Sequence, residues 1–139
     1  MSKSDLEKHY LDTNYIVYLD GHECNINIGH VIPTFIQKLL ETDSKKSAVV
    51  ITACNPKSQL LTFLENKSRN DKLRSKLNNY TVYKAIGQGS DPSWPAEESY
   101  FVIGITQNKA EQLAVEFEQY AFVMCESGKA VSLEFTELW

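Results

Sequence analysis

Ala48-Val49-Val50-Ile51-Thr52-Ala53-Cys54, stopped by Asn55-Pro56, is the stretch on which the fold turns. It carries no charge, and Val49, Val50, Ile51 and Thr52 are β-branched, which favours extended backbone. The proline that follows has no N–H with which to continue a ladder. The run therefore reads as a central strand. Either both its faces are covered, or helices cover one side and small residues the other.

Downstream, Ser58 is a suitable N-cap and predicts a helix from there to about Asn78. Leu60, Leu61, Leu64, Leu73 and Leu77 would line its inner face, and Lys57, Lys67, Arg69, Lys72, Arg74 and Lys76 dominate the rest. Tyr80 to Ile86 alternates as a strand, and residues 87–95, with two glycines and two prolines, form a loop. Tyr100 to Ile105 is a further strand. Thr106 caps a helix with Ala110, Leu113, Ala114 and Phe117 on its apolar face. Tyr120 to Met124 is a strand, Ser127-Gly128 a turn, and Val131, Leu133 and Phe135 face the core from a last strand. The order β-α-β-β-α-β-β is the split βαβ, or ferredoxin-like, order with an extra C-terminal strand.

Upstream, residues 4–13 suit one or two helical turns. Residues 15–28 read as a hairpin about Asp20-Gly21, a pair suited to the two positive-φ positions of a type I′ turn. Pro33 precedes an apolar stripe of Phe35, Ile36, Leu39 and Leu40, which predicts a helix. Asp43-Ser44-Lys45-Lys46 reads as a loop. The expectation is one α+β domain over residues 1–139, built as a two-layer sandwich. Residues 46–135 form its ferredoxin-like core, with helices on one face of an antiparallel or mixed sheet. Residues 1–43 add a hairpin at an edge and a helix.

That strand order places candidate chemistry. The strand ending at Cys54 would lie between those starting near Glu98 and near Gln119, antiparallel to both. The strand ending at Ile86 would finish on the same side. Asn55, Ser58, Trp94 in the loop, Glu98, Ser99 and Gln119 should then gather at one end of the sheet. A helix N-terminus at Ser58 offers unpaired N–H groups and a positive partial charge to an anion. Asn55 and Gln119 each supply an acceptor and a donor, Trp94 is placed to close over a ligand, and Glu98 is the candidate acid/base. Glu97 and Glu98 are adjacent on a strand, so at most one points into any pocket. The same residues also have a purely structural reading, in which Asn55-Pro56 shapes a turn, Ser58 caps, and Glu98 and Gln119 satisfy loop backbone.

Thr52-Ala53-Cys54-Asn55-Pro56-Lys57-Ser58, then Asn66, then Trp94 with Glu97-Glu98-Ser99, then Gln119 with Ala121, resemble the domain-of-unknown-function family 3293 of small bacterial proteins. The resemblance covers about residues 46–133. Position 54, often Trp in that pattern, is Cys here, and packing is the simpler role for it. The family has no assigned activity. What the resemblance implies is a set of positions to test: Asn55, Asn66, Glu98, Ser99 and Gln119. Asn66, two turns into the expected helix, would alternatively brace the loop 87–97.

Composition narrows the function classes. The 139 residues carry a net charge of −4, with 42% apolar and 23% charged residues, ordinary values for a globular chain. No run approaches the roughly 18–20 apolar residues of a membrane span. The N-terminus is too polar for a signal peptide, so a cytoplasmic location is expected. Cys24, Cys54 and Cys125 sit in apolar stretches and read as buried free thiols. His22, Cys24 and His30 lack evident further ligands for a metal, Gly87-Gln88-Gly89 is not a nucleotide-binding fingerprint, and no cofactor is indicated. All three histidines precede residue 31, away from the expected polar end, so no nucleophile–histidine pair can be argued unless the fold brings His9 or His30 near.

Three readings of function remain. The first is a binding or regulatory domain for a small polar or anionic ligand at Asn55, Ser58, Asn66, Trp94, Glu98, Ser99 and Gln119. The second is an enzyme of unknown class using Glu98. The third is a protein or nucleic-acid interaction module using the basic helix 57–78. Nucleic acid is disfavoured by the acidic whole and by the lack of aromatics among those cations, and a second copy of the chain is an alternative partner for that helix.

Overall fold

The computed structural model describes residues 2–42 and 47–139, so the loop expected at Asp43–Lys46 lies outside the described residues. In chain order the elements are α1 (Lys3–Leu11), β1 (Asn14–Leu19), β2 (His22–Ile26), α2 (Thr34–Thr42), β3 (Ser47–Ile51), a 3-10 turn (Pro56–Ser58), α3 (Phe63–Ser75), β4 (Thr81–Gln88), β5 (Glu97–Ile103), α4 (Gln107–Glu116), β6 (Ala121–Glu126) and β7 (Ser132–Phe135). No helix among the described residues is long and apolar enough to cross a membrane.

The apolar run is β3. It is central, with β5 on one side and β6 on the other, antiparallel to both. The seven strands form one antiparallel sheet in the order β2-β1-β4-β5-β3-β6-β7. The hairpin β1-β2 adds to the outer edge of β4. Its turn uses Asp20 (φ 45°) and Gly21 (φ 86°), the two positive-φ positions that a type I′ turn requires. The sheet curls until its ends meet. Just beyond β2, Val31 bridges Ala130, just before β7. The Gly29 N–H donates to the Val131 carbonyl, and the Val131 N–H donates to the His30 carbonyl, both at 2.8 Å.

Both faces of the sheet are buried, which accounts for the lack of alternation in β3. On the outer face Val49, Ile51, Val102, Phe122 and Met124 pack against Leu73 and Leu77 of the α3 segment and Ala110, Leu113 and Ala114 of α4. On the inner, concave face Val17, Leu19, Ala48, Val50, Phe101, Val123 and Cys125 pack against Ile36 and Leu40 of α2. The expected two-layer sandwich with helices on one face is thus corrected to three layers. The apolar stripe of α2 is the reason, because it needs an apolar surface and the concave face supplies one. The N-terminal segment therefore shares a core with the rest of the chain.

A second correction concerns α3. It begins at Phe63, not Ser58, with Thr62 as N-cap and Glu65 completing a capping box. Ser58 lies in the 3-10 turn at φ 58°, in a segment where Asn55 (φ 49°) and Lys57 (φ 50°) are also left-handed. Leu60 and Leu64, expected inward, are exposed, as is Phe63. Several helix cations are engaged within the fold. Lys67 pairs with Asp71, Lys76 with Glu116 and Arg69 with Glu118.

Candidate functional site

At the end of β3 the chain leaves the sheet, and two asparagines of α3 take over from the strand ladder. Asn70, one turn after Asn66 on the same helix face, accepts the Ala53 N–H through Oδ1 at 2.8 Å. Its Nδ2 donates to the Glu98 carbonyl at 2.8 Å and to the Cys54 sulfur at 3.3 Å. Asn66 Oδ1 accepts the Asn55 N–H at 2.9 Å, and its Nδ2 donates to Asn55 Oδ1 at 2.8 Å. Asn55 Oδ1 also accepts the Leu61 N–H. Arg69 closes the arrangement, donating from Nε to the Ala53 carbonyl at 2.7 Å and from Nη2 to the Phe117 carbonyl. Asn tolerates the left-handed backbone at 55, whereas Lys57 and Ser58 each take on roughly 1–2 kcal/mol of strain there. The Lys57 N–H bond to the Glu118 carbonyl, at 2.7 Å, helps hold the turn.

This frame presents Asn55 Nδ2 to the carboxylate of Glu97, 2.7 Å from Oε2. The indole Nε1 of Trp94 donates to the same oxygen at 3.4 Å. Burial pushes the Glu97 carboxyl above the ordinary 4.5, and the Asn55 and Trp94 bonds offset part of that rise. The other oxygen, Oε1, has no partner among the described residues. No buried side-chain oxygen or nitrogen there is left unpaired, so Oε1 must open to the adjoining space. The same reasoning applies to Gln119. Its Nε2 donates to the carbonyls of Cys54 (2.9 Å) and Phe117 (3.2 Å), while its Oε1 is open.

The adjoining space is a cavity of about 200 Å³ between the concave face of the sheet and α1. Val50, Thr52, Ser99, Ala121 and Val123 contribute its floor. Leu6, His9 and Tyr10 of α1, with Asp12 and the Ser90–Trp94 loop, contribute its roof. Tyr15 of β1 lies over Gly87, its partner on β4. A Cβ at position 87 would stand 3.3 Å from Tyr15 Cε1, so the glycine makes room for the ring. Burial holds the Tyr10 and Tyr15 hydroxyls far above the ordinary value of 10, with the Glu97 charge adding to the rise. Both tyrosines are therefore neutral donors at physiological pH. No lysine or arginine lines the cavity among the described residues; Asp12, Asp91 and Glu97 do.

Of the residues picked from sequence, Asn55, Ser58, Trp94, Ser99 and Gln119 line this cavity. Asn66 stands behind Asn55 and braces it rather than the 87–97 loop. Glu98 is on the outer face and exposed. Its contribution is its carbonyl, which accepts from Thr52 Oγ1 at 2.7 Å and from Asn70, so the carboxylate at the site is Glu97. The helix start that was to hold an anion at Ser58 lies instead at Thr62. Of the two histidines that folding was able to bring near, His9 is part of the roof. Glu97 was passed over for Glu98, and Asn70, Tyr10 and Tyr15 were missed. The Asn66-x-x-x-Asn70 spacing was a readable signal for one of them.

The sequence profile of a family described as "Protein of unknown function (DUF3293)" matches residues 51–122, just over half of the chain. The chain belongs to that family. The DUF3293 match runs from the end of β3 to the start of β6. It takes in the asparagine frame, Trp94, Glu97 and Gln119, but not α1 or the β1-β2 hairpin. The cavity thus has a floor and polar end largely within the DUF3293 segment and a roof outside it. No curated protein and no solved structure matches the chain.

Proposed function

We propose that this DUF3293 protein is a small-ligand-binding domain whose site is the cavity beneath α1. The observation that carries this is Glu97. One of its oxygens is fixed by Asn55 and Trp94, and the other is left open in a partly enclosed space with a mostly apolar floor. Burying a carboxylate there opposes folding unless something pairs with it, and perturbed carboxylates in clefts mark functional sites. The test is protein-observed NMR with a panel of small amines, alcohols, amides and carboxylates. Binders at the cavity should shift the Trp94 indole N–H together with the amides of Gly87 and Ser99. A panel that leaves all three unmoved would remove the basis for the site.

The enzyme alternative draws on the same residue, because a carboxyl with a raised pKa is suited to proton transfer at neutral pH. It would be preferred if Glu97→Gln kept ligand affinity but abolished turnover of a bound compound. We further read β4-β5-β3-β6 with α3 and α4 as a ferredoxin-like split βαβ core. That reading is supported by their antiparallel order, with the hairpin, β7 and the α1/α2 layer as additions. A bacterial cytoplasmic location belongs to the same reading. Three buried free cysteines suit a reducing compartment.

A further inference from the structure

We infer that the cavity takes a small organic ammonium ion bearing N–H groups, with its charge on Glu97 and its carbon skeleton against Tyr10, Tyr15 and Trp94. The inference rests on the cavity being the ligand site. Its lining carries three carboxylates, Asp12, Asp91 and Glu97, and among the described residues no lysine or arginine. Asp12 and Asp91 are exposed at its rim, and Glu97 is the most buried of the three. An anion at Glu97 would meet like charge and find no lysine or arginine, His9 being the one basic side chain in the lining among the described residues. A cation would offset the part of the Glu97 desolvation that the Asn55 and Trp94 hydrogen bonds do not.

The free hydrogen-bonding capacity points the same way. Oε1 of Glu97 and Oε1 of Gln119 are open acceptors, and an ammonium group with N–H bonds supplies matching donors, while the Tyr10 and Tyr15 hydroxyls remain for other polar groups of a ligand. Three aromatic side chains in one small lining add ring faces that attract a cation electrostatically. Among the described residues no three His, Cys, Asp or Glu side chains are grouped so as to hold a metal ion, and the aromatic lining favours an organic cation. The size of the cavity is about 200 Å³. That suits a compact amine.

The test uses three probes of near-equal shape and different charge: phenethylamine, phenylethanol and phenylacetate. Each is titrated at pH 7.5 into the full chain carrying ¹⁵N-labelled tryptophan, with Trp139→Phe assigning the Trp94 indole signal. Phenethylamine should move that signal and bind at least tenfold tighter than phenylethanol, with phenylacetate weakest. Glu97→Gln should lose at least tenfold in amine affinity and leave alcohol affinity unchanged. Equal binding of amine and alcohol, or tighter binding of phenylacetate, overturns the ligand class while leaving the cavity as a binding site. If none of the three moves the Trp94 signal and the wider panel also fails, both the ligand class and the site fall.

Discussion

At the residue scale, Glu97 sets function against stability. Its carboxyl is pushed above the ordinary 4.5 by burial. Between that value and its raised one, the native state holds more proton than the unfolded chain, so stability falls as pH rises through the window. Above the raised value the penalty is fully present. Glu97→Gln keeps an acceptor for Asn55 Nδ2 and Trp94 Nε1 and removes the charge. The variant should therefore melt at a higher temperature than the parent at pH 8 and at nearly the same temperature at pH 4. A lower melting temperature at pH 8, read by calorimetry, would make Glu97 a structural carboxylate. Choosing between Glu97 and Glu98 was beyond the sequence for a definite reason. Both faces of β5 are buried further along, at Phe101 and Val102, so hydrophobic alternation does not set the phase. The pairing of Gly87 with Glu97 and Ile86 with Glu98 sets it.

At the element scale, the start of α3 shows two local signals in competition. Ser58 after Asn-Pro has the composition of a cap, but Thr62-x-x-Glu65 has the reciprocal geometry of a capping box, and the box is what forms. Between the two, Asn55 Oδ1 takes the Leu61 N–H, holding the chain in a non-helical turn. Thr62→Ala should then cost about 1 kcal/mol, whereas exposed Ser58→Ala should stay within about 0.5 kcal/mol, both by urea denaturation. The reverse ranking would return the helix start to Ser58. The box was legible in the sequence. The turn was not, because its hydrogen bonds join residues up to 61 positions apart, as Lys57 does with Glu118. The central strand, both its neighbours, the hairpin turn at Asp20-Gly21 and the Thr106 cap were legible, since each rests on a short run or a single turn.

At the scale of the whole molecule, the layer laid on the concave face was the least legible part. Nothing in residues 4–13 marks which surface their one buried side chain, Leu6, will find. The curl of the sheet, which creates that surface, depends on contacts as distant as Val31 with Ala130. The result is a molecule of uneven stability. β3 is bonded on both edges and buried on both faces. By contrast α1 fully buries Leu6 alone and half-buries Tyr10, and one of its tethers is Lys3 lying 4.5 Å over the Phe135 ring. Segments with few buried contacts open at lower free energy than the core. The amides of α1 should therefore exchange with solvent deuterium by local opening, about tenfold or more faster than those of Val49 and Val102 after correction for intrinsic rates. Saturating phenethylamine should slow exchange in α1 and leave β3 unchanged, because the ligand contacts Tyr10 only while the roof is closed. If α1 and β3 exchange together in the free protein, the roof opens only with the whole fold, and a ligand must enter past the Ser90–Trp94 loop instead.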